Sequence, residues 1–258
     1  MAAAILEDVR ALGHRLTIGW LYSDLMNIYG DRGNIQTLIQ RARWRGLEVR
    51  VLELGKGASE GIETVDVFFF GGGQDKEQEL VYDDLLETKA IHLANAMQRG
   101  AAFLAVCGGY QLLGHYYQTA QGERLPGIGL LDVRTVAGGK RCIGDVVIES
   151  DAELGLQPRT LVGFENHSGR TYLGDGVRPL GRVRRGNGNN GEDGSEGAVS
   201  GNIFGTYLHG SLLPKNPHLT DLILSRALNR ELEPLDDSLE LAAHNWIKDR
   251  ELSGSRRA

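Results

Sequence analysis

Residues 101–114 read Ala-Ala-Phe-Leu-Ala-Val-Cys-Gly-Gly-Tyr-Gln-Leu-Leu-Gly, an apolar run that ends at Cys107 and is followed by two glycines and a segment of helical character. A thiol in this setting can do nucleophilic chemistry. The apolar run predicts a buried parallel strand that delivers Cys107 to the carboxyl edge of a sheet, where Gly108 and Gly109 permit a tight turn that a Cβ would obstruct. The next helix then begins beside the sulfur, and its partial positive charge favours the thiolate. Free cysteine also serves as a small buried hydrophobe, but an inert core cysteine has no need of two glycines behind it.

A cysteine nucleophile needs a base, donors for a developing oxyanion and groups that orient the substrate. His209, in the run Phe-Gly-Thr-Tyr-Leu-His-Gly at 204–210, follows a short apolar strand and precedes a glycine, which suits a histidine displayed at a sheet edge. His167, in Gly-Phe-Glu-Asn-His-Ser-Gly at 163–169, has a similar setting and is its rival. The histidines at 14, 92, 115, 218 and 244 lie at termini or in helical segments and read as surface or packing residues. For the oxyanion, Gly108 supplies one backbone amide, and the glycines 71–73, after an apolar run at 65–70, expose others at the same sheet edge.

These groups have to be positioned by a sheet. Apolar runs at 16–22, 47–54, 65–70 and 101–106 predict strands buried on both faces, and segments 34–45 and 77–99 predict helices, the second broken in two. Gly46 and Gly100 stand where helix C-caps belong. Such alternation implies right-handed βαβ units and a parallel sheet covered by helices on both faces. From residue 130 shorter β-like runs follow at 130–136, 142–150, 161–165 and 203–208, predicting a partly antiparallel later sheet. Residues 186–202, rich in glycine and asparagine, read as a solvated loop or open hairpin end. Segments 218–229 and 236–248 predict closing helices, and 251–258 a frayed polar end.

The chain has 258 residues, enough for one large α/β domain with modest additions: a leader at 1–15, a main domain at 16–230, and a helix and tail at 231–258. Hydrophobic residues make up 41% and charged ones 24%, an ordinary soluble composition. A net charge of -6 offers no footprint for nucleic acid or an anionic membrane. Two cysteines, Cys107 and Cys142, argue against a disulfide framework and for a reducing, cytoplasmic setting. No signal peptide, membrane-spanning run, P-loop or metal-spaced Cys/His cluster is legible.

Taken together, several stretches resemble the class I glutamine amidotransferases, and within them the cobyric acid synthase-like branch, to which Cys107-Gly-Gly-Tyr-Gln and Gly205-Thr-Tyr-Leu-His-Gly point. More narrowly, the chain is similar to the glutaminase subunits of lipid II isoglutaminyl synthase. That similarity rests on Ser23-Asp24 with Asn-Ile-Tyr-Gly-Asp-Arg-Gly-Asn at 27–34, on Phe-Gly-Gly-Gly at 70–73 with Asp75, and on Arg141 with Gly-Asp-Val-Val-Ile-Glu-Ser-Asp at 144–151. It rests also on Gly-Phe-Glu-Asn-His at 163–167 and on residues 205–214, so that it spans roughly residues 16 to 230. The resemblance implies a three-layer α/β fold, mostly parallel, with Cys107 as nucleophile and His209 as its base. It implies that Arg141 binds glutamine, with Gly72, Gly73, Gly108 and Gln111 around the substrate. A guanidinium suits the substrate's α-carboxylate through a forked, charge-assisted contact.

Many class I members carry a glutamate two residues after the histidine, where this chain has Ser211. Asp31, Glu165 or no acid at all is then left to orient His209. The resemblance further implies that ammonia passes to a Mur ligase-like, MurT-type synthase subunit. That partner would hold ATP and magnesium, with no cofactor or metal in this chain, and would amidate D-glutamate of lipid II close to the inner face of the membrane. Competing readings are a cobalamin-type glutaminase component, a stand-alone cysteine hydrolase of γ-glutamyl substrates, and a non-catalytic subunit.

Overall fold

The computed structural model describes residues 15–28, 30–210 and 212–254. His14 and Ser211, and the ends of the chain at 1–14 and 255–258, lie outside the described residues.

The first half builds a parallel sheet. β1 (Arg15–Leu21) leads through α1 (Arg32–Trp44) to β2 (Glu48–Leu54), and β3 (Val67–Phe70) follows. α2 (Asp75–Asp84) and α3 (Ala90–Gln98) are separated by a π-helical turn at Leu85–Lys89, which is the break expected within 77–99. β4 (Ala102–Val106) ends at the elbow and α4 (Gly108–Leu113) starts beyond it. β3 and β4 are buried at every position, as their unbroken apolar runs require when helices and chain cover both faces.

After α4 the texture changes. β5 (Tyr116–Gln118) and β6 (Arg124–Pro126) are short, whereas β7 (Val133–Ser150) and β8 (Thr160–Leu173) form a long antiparallel pair. β9 (Gly181–Arg185), β10 (Ser195–Glu196), β11 (Ala198–Ser200) and β12 (Ile203–Thr206) follow, then α5 (Leu212–Lys215), α6 (Pro217–Leu228) and α7 (Ser238–Gly254). The order in the main sheet is β11-β12-β4-β3-β1-β2, parallel except for β11. α6 packs on β3 and β4, with α1 against it, and Arg41 of α1 holds Asp221 of α6 and Asp237 at 2.6 Å each. The second sheet runs β10-β9-β7-β5-β6 with β8 on β7 and is largely antiparallel. No helix among the described residues is long and apolar enough to cross a membrane.

Three expectations need correction. β2 is not buried on both faces: it is the edge strand, and its positions are exposed or half-buried up to Leu54, since only one face has a neighbour to pack on. The runs at 130–136 and 142–150 are one strand with a register shift between Ala137 and Cys142, and the run at 161–165 continues to Leu173. The extension was hidden because the buried face of β8 carries Glu165, His167, Gly169 and Thr171, so the alternation is present but polar. Residues 186–202 are a hairpin end only in part: β9 and β10 pair across exposed residues 186, 187 and 191–193, but the segment is not a solvated loop throughout. They hold β10 and β11, and Asn189, Asn190, Ser195 and Glu196 are all buried.

Close packing explains the glycines after Cys107. Neither has a left-handed backbone; instead a Cβ on Gly109 would stand 2.6 Å from the carbonyl oxygen of Phe70 at the end of β3. A carbonyl within a buried parallel strand cannot retreat. We expect Gly109→Ala to lower the unfolding free energy by about 1–3 kcal/mol, the usual cost of overpacking, read from denaturant melts. An unchanged midpoint would mean that the elbow is looser than its geometry indicates.

Candidate active site

The strand order places β1 and β3 side by side although β2 intervenes in sequence, and this reversal leaves a crevice at the carboxyl ends of the strands. Four segments converge there: residues 22–31 after β1, 71–73 after β3, Cys107 after β4 and 207–210 after β12.

Cys107 carries the strain of the turn itself, with φ +50° and ψ -108°. A non-glycine residue in that region is unusual and is held only where its surroundings determine it. Here its N–H donates to Thr206 O at 2.9 Å, extending the β4–β12 ladder by one bond, and its carbonyl accepts from Gln111 N at 2.9 Å to open α4. The nucleophile and the strand that leads to His209 are therefore hydrogen-bonded to each other.

His209 is fully buried. Its backbone forms an isolated antiparallel bridge with Phe164, His209 N donating at 2.7 Å and Phe164 N returning at 3.3 Å, which explains why Gly-Phe-Glu-Asn-His accompanies Gly-Thr-Tyr-Leu-His. The ring meets the Cys107 thiol and the Asp31 carboxylate. Burial alone would lower its pKa; the negative charge available at Cys107 and at Asp31 outweighs that and pushes it up to about 10.

Asp31 is also fully buried. Its Oδ1 lies 3.8 Å from His209 Nδ1, and its Oδ2 accepts the N–H of Gly72 at 2.6 Å. The amide of Gly72 is thus engaged by Asp31. A Cβ on Gly72 would lie 2.8 Å from His209 Cε1, and one on Gly108 would lie 3.0 Å from Gly73 N, so both loops need glycine for close approach. Glu165 sits elsewhere: it accepts from Asn187 N, Asn187 Nδ2 and Gly188 N, and its Oε2 is 3.8 Å from His167 Nε2. Of the two acids weighed from sequence, Asp31 is the one beside His209.

His167 is locked in a different role. Its Nδ1–H donates to Gly169 O at 2.8 Å, which fixes the tautomer, and its ring stacks on Tyr207 at 3.6 Å with planes 9° apart. Tyr207 and Gln78, which the sequence reading passed over, fasten Gln111: its Nε2 donates to Tyr207 Oη at 3.0 Å and its Oε1 accepts from Gln78 Nε2 at 3.0 Å. Tyr207 Oη continues to Thr171 and Thr135. Tyr207 stands in the run 204–210 that was already singled out; Gln78 carried no signal beyond its place on α2.

A cavity of about 200 Å³ opens over Cys107 and is lined by Gly73, Gln111, Asn166, His167 and Arg141. Arg141, where the β7–β8 pairing breaks, donates from Nε to Asn166 Oδ1 at 2.6 Å. The remaining histidines among the described residues behave as packing or surface groups: His92 is exposed, His115 is exposed beside Asp132, and His218 and His244 face each other between α6 and α7. Among the described residues no group of three or more His, Cys, Asp or Glu is arranged to hold a metal ion.

A profile of the CobB/CobQ-like glutamine amidotransferase domain matches residues 17–217. The chain belongs to this family. Within the CobB/CobQ-like amidotransferases it is 44% identical over 242 residues to the lipid II isoglutaminyl synthase (glutamine-hydrolyzing) subunit GatD of Staphylococcus aureus, covering 92% of this chain and 96% of that protein. It is 39% identical to the Streptococcus pneumoniae subunit of the same name, covering 93% and 90%. A probable cobyric acid synthase of Methanothermobacter thermautotrophicus is 31% identical over 78% of this chain but 41% of its own length. Solved structures share the fold: a glutamine amidotransferase with a TM-score of 0.55 at 19% identity, covering 81% of this chain and 98% of that one. The glutaminase domain of Trypanosoma brucei CTPS, solved with acivicin, has a TM-score of 0.56 at 12% identity, covering 84% and 96%.

Because Cys107 and Asp31 raise the His209 pKa, the ring stays protonated well above pH 7 and loses its proton only as pH rises through about 10. Imidazole NMR shifts of His209 should show this at pH 8, and in Cys107→Ser or Asp31→Asn the titration should move down. A His209 that titrates near 6.5 in the unaltered protein would contradict the site as drawn.

Proposed function

We propose that the chain hydrolyses L-glutamine to glutamate and ammonia through a thioester on Cys107. One observation carries the reading: a cysteine strained at a strand-to-helix elbow lies beside a buried histidine whose pKa is raised, next to a polar cavity that contains an arginine. The Cys107 thiolate attacks the side-chain amide carbon, and the oxygen that becomes negative is received by the amides of Gly73 and Gly108. Gly72 does not share this role, since its N–H serves Asp31.

The His209 imidazolium gives its proton to the departing nitrogen, so that the C–N bond breaks and ammonia leaves. His209, now neutral, takes a proton from water; the hydroxide equivalent attacks the thioester, the C–S bond breaks and glutamate is released. Asp31 keeps Nδ1 of the ring oriented and favours its charged form. Arg141 binds the α-carboxylate, and Gln111, held at both ends by Gln78 and Tyr207, forms a rigid wall.

The ammonia is used elsewhere. The subunit name carried by the 44% and 39% identical relatives supports a partner synthase that amidates lipid II. In this reading a Mur ligase-like, MurT-type subunit binds ATP and magnesium, activates the α-carboxylate of D-glutamate in the stem peptide, and receives ammonia to form D-isoglutamine at the cytoplasmic side of the membrane. Free ammonia is protonated near neutral pH and lost to solvent, so turnover should be coupled to the partner.

In glutaminase assays Cys107→Ala and His209→Ala should each lose at least about 10³-fold in kcat, because nucleophile and base act as a unit. Asp31→Asn should lose about 10²-fold, most of what an oriented base contributes. An inactive His167→Ala beside a working His209→Ala would reverse the assignment of the base.

Arg141→Ala should raise KM by about 10- to 100-fold, the worth of a charge-assisted pair, with a smaller change in kcat. Ammonia release should rise when the synthase partner is added; equal rates with and without it would reject coupling.

A further inference from the structure

β12 ends at Thr206, and the chain leaves the sheet just where it must carry His209 to Cys107. Thr206, Tyr207 and Leu208 are fully buried, so their backbone donors need partners that a strand ladder no longer supplies. A single carboxylate takes over. Glu196 Oε1 accepts the Tyr207 N–H at 2.8 Å and the Thr206 hydroxyl at 2.6 Å, and that hydroxyl oxygen accepts the Leu208 N–H at 3.0 Å. Thr206 O meanwhile accepts the Cys107 N–H.

Glu196 therefore holds Thr206, the anchor of Cys107, directly, and the amide two residues before the histidine. It is itself held: Asn189 bonds both Gly197 N and Gly197 O, and a Cβ on Gly197 would lie 2.5 Å from Gly205 O.

We propose that Glu196 is a positioning residue that holds His209 in register with Cys107, and that the buried residues of the 186–202 segment exist to present it. The proposal rests on the Cys107–His209 reading of the site. The Tyr207 amide and the Thr206 hydroxyl converge on one carboxylate oxygen, and the same hydroxyl passes the restraint on to the Leu208 amide; when the carboxylate is charged these bonds are stronger and more directional than neutral ones. Burial, with the charge of Glu165 on β8 facing it, pushes the Glu196 carboxyl up to about 7. The other titratable groups around it are the phenols of Tyr110 and Tyr207, both raised far above neutrality, and Glu165 is held below the usual carboxylate range, largely by its hydrogen bonds. Glu196 therefore gains its charge as pH rises through about 7.

The test uses the full chain together with its synthase partner. Glu196→Ala should lose about 10- to 100-fold in kcat, the scale of a displacement near 1 Å in reacting groups, with KM unchanged because Arg141 is untouched. Glu196→Gln keeps an oxygen acceptor but carries no charge, and should run above Glu196→Ala, at the lowered rate that the unaltered protein reaches below about pH 7. The unaltered protein should lose kcat as pH falls through about 7, whereas Glu196→Gln, with no charge to lose, should stay flat there. A wild-type kcat in Glu196→Ala would overturn the proposal. If the alanine variant does not fold, an acid limb in Glu196→Gln identical to that of the unaltered protein would overturn it equally. Retained glutaminase in Cys107→Ala would instead sink the site reading itself.

Discussion

The register between β4 and β12 is the constraint on which the rest depends. Cys107 has no sequence neighbour that could activate it, and His209 lies 102 positions away; their meeting is arranged by parallel ladder bonds that end with Cys107 N on Thr206 O. A slip along this ladder would move the histidine away from the sulfur and turn alternate side chains to the other face. The buried packing of both strands, with Phe103, Leu104 and Phe204 fully enclosed, makes such a slip costly.

Around this register the other loops are held by close backbone approach. The 71–73 turn is brought against the elbow because Gly108 and Gly109 leave room for it, and Asp31 hooks it through Gly72 N. One carboxylate thereby fixes the loop that borders the cavity and faces the ring that needs a charge partner. The second sheet contributes from the opposite side: β8 bridges to His209 at Phe164, and brings Asn166 and His167 to the cavity.

Such a site has a cost in buried polarity. Gln78, Gln111, Tyr207, Thr171 and Thr135 form a continuous hydrogen-bonded line beneath the cavity, and the ring stack of His167 on Tyr207 closes it. A network of this kind rigidifies when every member is satisfied, since each bond polarises the next in a low dielectric. The walls of the cavity are thus set before substrate arrives, and preorganised donors need no rearrangement when charge develops.

The linear chain itself pointed to the parallel sheet and singled out Cys107: apolar runs at 67–70 and 101–106, set between helical segments, read as buried strands, and the glycines directly after Cys107 serve a close turn. The motif at 204–210 likewise marked His209, because a histidine between an apolar strand and a glycine must emerge at a sheet edge. What orients His209 was not legible, because a charge partner is chosen by distance in space, and Asp31 reaches it across the sheet from the loop after β1. The length of β8 and the burial of 186–202 were missed for a related reason. Hydrophobic periodicity reports burial only when the buried face is apolar, and here it is lined with Glu165, His167, Asn189 and Glu196, whose solvation is replaced by hydrogen bonds that only the tertiary structure can supply.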